Sequence, residues 1–390
     1  MRMKKLMILA VAAIALVACS KEFDTNKSAS NGTAIGFNTW AEQLTKARTP
    51  GTSTFTDGDD FAVYGYKDKS TPAPATVFDD VVVSTTDGST WSYTTLRFWD
   101  STYDSYTFFA ISPAAIGTAA NGEESSTNVN PQTGAFVTRA ITFAGDDNDI
   151  LVADKKTVLK TDTPVNFGNG SLAYGPVALV FNHVAALVDF KVKKASSLAN
   201  ATVTVSEFEL SDIDNVGQLT VSDAYNSAAF GKTLSPVVSW SGTARTTYGP
   251  GDGVNDDCDI SSPITVAEDT GFSTSNSTAN TTPAGSTPFI KNLIVLPQTF
   301  RASNASNPQK LTLSYKISVD GSADTEFEDN VLYLADFDLI DNNAQAADFV
   351  GGWAPGKHYT FYITIDANKI DFTATITDWI AANGYHYLLN

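Results

Sequence analysis

The amino-acid sequence predicts an all-β protein whose strands form antiparallel sandwiches, and three observations favour this class. Apolar and polar residues alternate through many short segments, as in strands with one buried face. Thr, Val, Tyr and Phe are frequent in these segments, and turn pairs such as Asp87-Gly88 and Asp320-Gly321 separate them. Helical periodicity is weak and limited to residues 40–47 and 342–349, so many short strands with few helices indicate sandwiches.

The clearest strands alternate without a break. Residues 311–319, 359–365 and 370–376 each place their apolar side chains on one face. In residues 203–210 the apolar positions shift by one, which predicts a β-bulge. The predicted inward face of the first of these strands comprises Leu311, Leu313, Tyr315, Ile317 and Val319.

The start of the chain predicts export and a lipid anchor. Basic residues at positions 2, 4 and 5 precede an uncharged apolar run at 6–17, which is too short to span a bilayer comfortably and is typical of a secretory signal. Leu16-Val17-Ala18-Cys19 then resembles a bacterial lipobox. We therefore expect cleavage before Cys19, acyl chains on its thiol and attachment to a membrane.

About 370 residues remain after the leader, a length that suits two domains. We expect a signal peptide at 1–18, a flexible tether at 19–33, an N-terminal β-sandwich at 34–175 and a C-terminal β-sandwich at 176–390. The Gly-rich stretch before Pro176 marks the boundary. Residues 243–286 are rich in small polar residues and predict a long loop in the second domain.

Charge and composition exclude several classes of partner. The net charge is −18, and loss of the three basic residues of the leader makes it about −21, which disfavours nucleic acid and anionic lipid as partners. The chain has two Cys. If Cys19 carries lipid, Cys258 has no intrachain partner, so disulfides do not hold the fold.

No pattern predicts a catalytic, cofactor or metal site, so we do not expect an enzyme. Residues 351–358 nearly spell a phosphate loop but precede a strand, and a tight turn is the better interpretation. His183 is interpreted as a hydrogen-bonded core residue, because no second His or Cys stands at ligand spacing. The Asp clusters at 146–149 and 256–259 are interpreted as solvated turns, with Ca²⁺ ligation as the alternative.

Four tryptophans suggest either a sugar-stacking platform or, as we favour, core packing; they are Trp91, Trp99, Trp353 and Trp379.

An ordered series of short motifs resembles the fimbrillin-like family of Bacteroidota over nearly the whole chain after the lipobox. None of the motifs is specific alone, but their order is. The motifs are Ile35-Gly36-Phe37, Phe61-Ala62-Val63-Tyr64-Gly65-Tyr66, Trp91-Ser92-Tyr93, Arg97-Phe98-Trp99, residues 106–113, Asp149-Ile150-Leu151-Val152-Ala153, residues 177–183, Val295-Leu296-Pro297-Gln298, residues 353–359 and Ile376-Thr377-Asp378-Trp379.

The resemblance implies two transthyretin-like antiparallel β-sandwich domains in tandem. It also implies an outer-membrane, cell-surface role as stalk, tip or anchor subunit of a type V pilus, or as a related surface adhesin. The expected partners are other pilin subunits, by strand exchange, and a surface receptor. In stalk pilins of this family, a trypsin-like protease cuts after an Arg, whereas anchor subunits are not cut. Arg48 is the matching residue, with Lys46 as a rival and a solvated surface Arg as the alternative. The strand at 370–379 is a candidate donor or an ordinary closing strand. A glycan-binding outer-membrane lipoprotein of a nutrient-uptake system is the alternative function.

Overall fold

A computed structural model describes most of the chain downstream of residue 33. Strands account for nearly all of its regular structure: the only helix among the described residues is α1 (Ala114–Gly117), and 3₁₀ turns lie at Ser196–Leu198 and Leu334–Asp336. The predicted all-β class is confirmed. No helix in the ranges below is long and apolar enough to cross a membrane. The described residues are 34–39, 55–69, 74–100, 102–117, 135–143, 149–159, 165–166, 172–173, 176–221, 238–248, 264–266, 287–339 and 351–378.

The first sheet combines seven strands, and every pair in it is antiparallel. In chain order they are β2 (Asp60–Asp68), β3 (Ala75–Thr85), β4 (Trp91–Ser92), β5 (Ser105–Ser112), β7 (Leu151–Ala153), β8 (Lys156–Leu159) and β12 (Phe181–His183). Their spatial order is β12-β7-β5-β2-β3-β4, with β8 paired to β5. Residues 61–66 of β2 are buried in succession, because both faces of this sheet are covered.

Two short strand pairs form separate two-stranded sheets. β1 (Phe37–Thr39) pairs in parallel with β11 (Val177–Leu179). β9 (Val165–Asn166) pairs with β10 (Leu172–Ala173) in an antiparallel hairpin. The β1–β11 pair packs against one face of the first sheet, since side chains of both belong to one apolar cluster.

The second and third sheets pack face to face as a sandwich. The second sheet has the order β17-β13-β23-β24-β21, and its strands are β13 (Ala186–Lys194), β17 (Thr287–Val295), β21 (Asp338–Leu339), β23 (Lys357–Ile365) and β24 (Ile370–Asp378). The third sheet consists of β6 (Phe136–Thr142), β14 (Ala201–Val221), β15 (Val238–Tyr248), β16 (Ile264–Thr265), β19 (Lys310–Val319) and β20 (Thr325–Tyr333). β18 (Gln298–Thr299) and β22 (Gly352–Trp353) form a separate antiparallel pair.

The pairing is antiparallel with three exceptions among the described strands. β1 and β11, β13 and β23, and β21 and β24 run parallel. Parallel neighbours need a long connection, and these partners stand far apart in the chain.

The long strand β14 carries the predicted bulge. Its register against β19 shifts between Val205 and Glu207, inside the segment where the apolar positions change parity. In β19 the predicted inward face holds at four positions and fails at Val319, which is 43% exposed. Val319 ends the strand beside the turn at Asp320-Gly321, where the sandwich no longer covers it.

Three apolar cores lie between these layers. The N-terminal core packs β1 and β11 on one face of the first sheet and includes Ile35, Phe37, Phe61, Phe78, Phe108, Val177 and Leu179. The shared core packs the other face of that sheet against the third sheet and the start of the second, and includes Tyr64, Phe109, Val152, Phe136, Leu187, Leu219, Val221, Ile294 and Leu296. The C-terminal core lies between the second and third sheets and includes Phe190, Val203, Phe208, Leu311, Leu313, Tyr359 and Phe361.

The predicted boundary at residue 175 does not coincide with a break in strand pairing. β11 and β12 follow it yet pair with β1 and β7, whereas β6 precedes it yet pairs with β14. The division into two domains stays a prediction. The predicted loop 243–286 needs correction at two places, because β15 extends to Tyr248 and β16 lies at 264–265. Buried Tyr248 and Val266 hold these segments in the C-terminal core.

Candidate site of strand exchange

The N-terminal strand is held by backbone hydrogen bonds on two sides. On one side, the amide of Ile35 donates to the carbonyl of Arg97 at 2.8 Å, and Ala34 forms an antiparallel bridge with Phe98. On the other side, the amide of Val177 donates to the carbonyl of Gly36 at 2.8 Å. The segment is therefore an inserted strand with neighbours on both edges.

Apolar side chains fix the same segment in the N-terminal core. Ile35 is 1% exposed and Phe37 is 6% exposed. The ring of Phe37 meets four aromatic rings at steep interplanar angles, an arrangement that aromatic pairs favour. The centroid distances are 6.1 Å to Phe61, 5.2 Å to Phe78, 5.9 Å to Tyr93 and 5.8 Å to Phe108. Residues 34–39 thus act as a plug that completes the N-terminal core.

Tyr93 closes the plug from outside. Its hydroxyl donates to the carbonyl of Ile35 at 2.6 Å and accepts from the amide of Arg97 at 3.2 Å. Burial raises the pKa of Tyr93, with the nearby Arg97 charge opposing that change. The hydroxyl therefore stays protonated and remains a donor to the plug.

A charged contact lies at the far end of β2. Lys67 Nζ is 3.0 Å from Asp100 Oδ2. Burial opposes ionisation of Asp100, but hydrogen bonds from Thr102 and Lys67 outweigh it and lower its pKa to about 2. The amide of Asp100 donates to the Tyr106 hydroxyl at 2.7 Å, which orders the loop after Trp99.

The two predicted processing residues fall outside the described ranges. Cys19 and Arg48, with the rival Lys46, the leader and the tether, have no structural account here, and they stay predictions. The predicted C-terminal strand is β24, which pairs with β23 along its whole length and with β21 at two positions. It lies between β23 and the short edge strand β21 in the second sheet, while Trp379 and residues 380–390 lie outside the described part.

The motifs set aside as chemistry have structural roles where they are described. The phosphate-loop-like segment comprises β22 and the turn that leads from it to β23, with Gly351 before β22 and Gly356 in the turn, both at positive φ. His183 is buried with its Nδ1 3.0 Å from Asp149, and His358 Nε2 is 2.8 Å from Asp189. Within the described ranges, no group of three His, Cys, Asp or Glu side chains is arranged to hold a metal ion.

The tryptophan platform is not supported by the described residues. Trp99 and Trp353 are 7% and 2% exposed and belong to the N-terminal and C-terminal cores. Trp91 is half-buried and packs against Phe55 and Phe61. Core packing is thus the role of these three side chains, and Trp379 lies outside the described part.

A family model described as fimbrillin-like matches residues 45–379. The chain belongs to the fimbrillin-like family. The resemblance stated from the sequence is therefore confirmed.

Individual relatives of this fimbrillin-like protein are distant. Fimbrium subunit Fim1C of Phocaeicola vulgatus is 24% identical over 211 residues, which cover 51% of this chain and 54% of that protein. The match thus spans about half the length of this curated relative. A fimbrial protein structure from Bacteroides vulgatus shares 17% identity over 82% of this chain and 92% of that chain, with a TM-score of 0.49. The tip fimbrial protein Mfa3 of Porphyromonas gingivalis shares 10% identity over 89% and 99% of the two chains, with a TM-score of 0.34. Both TM-scores are too low for the superpositions to bear on function.

Sequence reasoning assigned no role to two residues that shape the fimbrillin-like fold. Tyr93 belongs to the Trp-Ser-Tyr motif, but the motif does not reveal that its hydroxyl donates to the carbonyl of Ile35 in the plug. Gln298, in the Leu-Pro-Gln motif, accepts from the amide of Asp214 and donates to its carbonyl, both at 3.0 Å, which pins a bulged part of β14. The signal in both cases is a polar residue inside an ordered motif, but its partner is distant in the chain.

Proposed function

We propose that this fimbrillin-like protein is a structural or adhesive subunit of a type V pilus on the cell surface, and that it assembles by donor-strand exchange. The observation that carries the proposal is the plug at residues 34–39. It is a short strand, parallel to β11, that fills the N-terminal core yet stands upstream of every other described strand. Membership of a fimbrial family supports a structural role over catalysis.

Loss of the plug would leave a groove suited to a strand from another subunit. The carbonyl of Arg97 and the amide of Val177 would lose their partners. Phe61, Phe78 and Phe108 would lose their contact with Phe37, so apolar surface would meet water. An extended segment with apolar residues at alternate positions restores both kinds of contact, which is the logic of strand addition.

A cut after Arg48 would make the plug removable. Arg48 stands between β1 and Phe55, so cleavage there separates the plug from the rest of the chain and leaves it bound by non-covalent contacts alone. Lys46 stands in the same connection and is the rival position. After the cut, the plug can be replaced by a strand from another subunit without breaking any further covalent bond.

The lipid anchor and the cut have opposite consequences. Cys19 lies 15 residues before Ala34, a tether that reaches roughly 50 Å when extended. Because Cys19 and the plug lie on the same side of Arg48, a cut chain keeps its lipid only while the plug stays in place. An uncut chain therefore suits the anchor role, and a cut chain suits the stalk.

N-terminal sequencing of pilus material from the cell surface tests this proposal. We expect a mature end at Thr49 and polymers that survive mild denaturant, because inserted strands leave slowly. Arg48→Ala should abolish the Thr49 end and the polymers, while Lys46→Ala, the matched control, should leave both. Chains that begin only at Cys19 would remove the stalk role, and monomers alone on the cell surface would refute strand exchange.

A further inference from the structure

We propose that a cleft beside β3 binds a carboxylated saccharide. The cleft has a volume of about 500 Å³ and lies between the outer edge of β3 and residues 92–97. Its size is within the range of ordinary ligand sites. The proposal adds a ligand to the adhesive role, but it does not depend on strand exchange, since the cleft belongs to one chain.

Arg97 supplies the charge that recognises the carboxylate. Its Nε donates to the carbonyl of Val77 and its Nη1 to the carbonyl of Thr95, both at 3.1 Å. These bonds fix the plane of the guanidinium. No described carboxylate pairs with Arg97, and its Nη2 donates to no described residue. An oriented cation with donors to spare suits an incoming carboxylate, because the guanidinium supplies the positive charge locally.

The remaining lining suits the hydroxyls and C–H groups of a sugar ring. Ser92, Thr94 and Thr95 are exposed and line the cleft. Asp80, whose Oδ1 accepts from the Tyr64 hydroxyl at 2.9 Å, also lines the cleft and favours hydroxyl donors over a second anionic group. Val82, 42% exposed, offers apolar contact. A sugar with one carboxylate and several hydroxyls matches this set.

The alternative occupant, an added protein strand, fits less well. β3 is an edge strand apart from its pairing with β4 at Ser84 and Thr85. The row of backbone groups on its edge is interrupted at two places. Asp80 has a φ of 52° in a bulge, and the carbonyl of Val77 already accepts a hydrogen bond from the Arg97 side chain. Bulges and edge charges are devices that prevent strand pairing.

Titration of the full-length chain with defined saccharides tests the site. The probes are tri-galacturonate and 3′-sialyllactose, which carry the carboxylate on different sugars, with cellotriose and lactose as neutral counterparts. We expect at least one acidic probe to bind, about tenfold or more tightly than its neutral counterpart, with affinity that falls as salt rises. The acidic probe that binds identifies the source of the carboxylate.

Matched variants locate the binding. Arg97→Gln should weaken binding of the acidic probe about tenfold or more, and Thr95→Val should weaken it about threefold. Lys369→Gln is the control: it removes one exposed charge from the β23–β24 turn and should leave the affinity nearly unchanged. Circular dichroism checks that each variant folds; if Arg97→Gln does not fold, Thr95→Val and Ser92→Ala decide. Failure of both acidic probes at millimolar concentration, or equal binding by Arg97→Gln, would overturn the proposal. The proposal would also be overturned if no saccharide binds and a peptide with the sequence of residues 370–378 protects the edge amides of β3 from hydrogen exchange.

Discussion

The hydroxyl of Tyr93 joins the plug to the loop after β4, although Tyr93 and Ile35 are 58 positions apart. The ring of the same residue packs on Phe37 at 5.9 Å and on Phe78 at 5.4 Å. Packing and hydrogen bonding by this side chain are therefore separable: removing only the hydroxyl leaves the apolar contacts in place.

Tyr93→Phe should loosen the plug without unfolding the protein. A lost hydrogen bond at this partly buried position lowers the free energy of unfolding by about 1 kcal/mol. Hydrogen exchange should accelerate at residues 34–39 and Val177, and much less elsewhere. Tyr103→Phe is the control, because the Tyr103 hydroxyl has no hydrogen bond with a described residue. Equal exchange in Tyr93→Phe and the parent would show that the hydroxyl does not secure the plug.

At the scale of elements, β2 is the central strand of the first sheet and leaves no room at Gly65. A Cβ added there would lie 2.7 Å from Phe78 Cδ2 and 3.1 Å from Phe108 Cδ1. The register of β2 against β3 shifts on both sides of Gly65. The glycine therefore permits the neighbouring rings to approach the backbone and fill the N-terminal core.

Gly65→Ala should destabilise the first sheet. Overpacking of a filled core costs about 1–3 kcal/mol, since rings must leave their preferred positions. Urea denaturation measures the change. Gly36→Ala is the matched control, because the nearest atom to its added Cβ, in Pro176, is 3.8 Å away. An unchanged midpoint in Gly65→Ala would mean that the Phe78 ring moves aside freely.

At the scale of the whole molecule, the shared core joins the two halves of the chain. Leu219 of β14 and Ile294 of β17 pack in one cluster with Tyr64 of β2 and Phe109 of β5. β14 extends through both the shared and C-terminal cores, with Val203 and Phe208 in the latter. The halves should therefore unfold together.

Leu219→Ala should weaken both halves at once. Removal of a fully buried Leu costs about 3 kcal/mol, since it leaves a cavity. Hydrogen exchange should accelerate in β2 and in β23 by similar factors, and unfolding should remain a single transition. Val331→Ala, at a site 42% exposed, is the control. Two separate transitions, with β23 unaffected, would indicate independent domains.

Local pattern in the sequence was enough for the strand class, the inward face of β23, four of the five predicted inward positions of β19, and the bulge in β14. Successive side chains of a strand point to opposite faces of the sheet, so these features can be predicted without knowing which strand pairs with which. The order of the motifs was likewise enough to identify the family.

Tertiary structure alone decided which strands meet. β1 pairs with β11, and β6 pairs with β14 instead of with a strand near it in the chain. The Arg97 side chain donates to the carbonyls of Val77 and Thr95. Local alternation of residues does not specify such partners. Pairing depends on how buried faces fill a common core, and many partners satisfy the same alternation. The boundary at residue 175 was predicted from the Gly-rich composition there. The strands on either side of it pair according to which apolar core their buried faces fill.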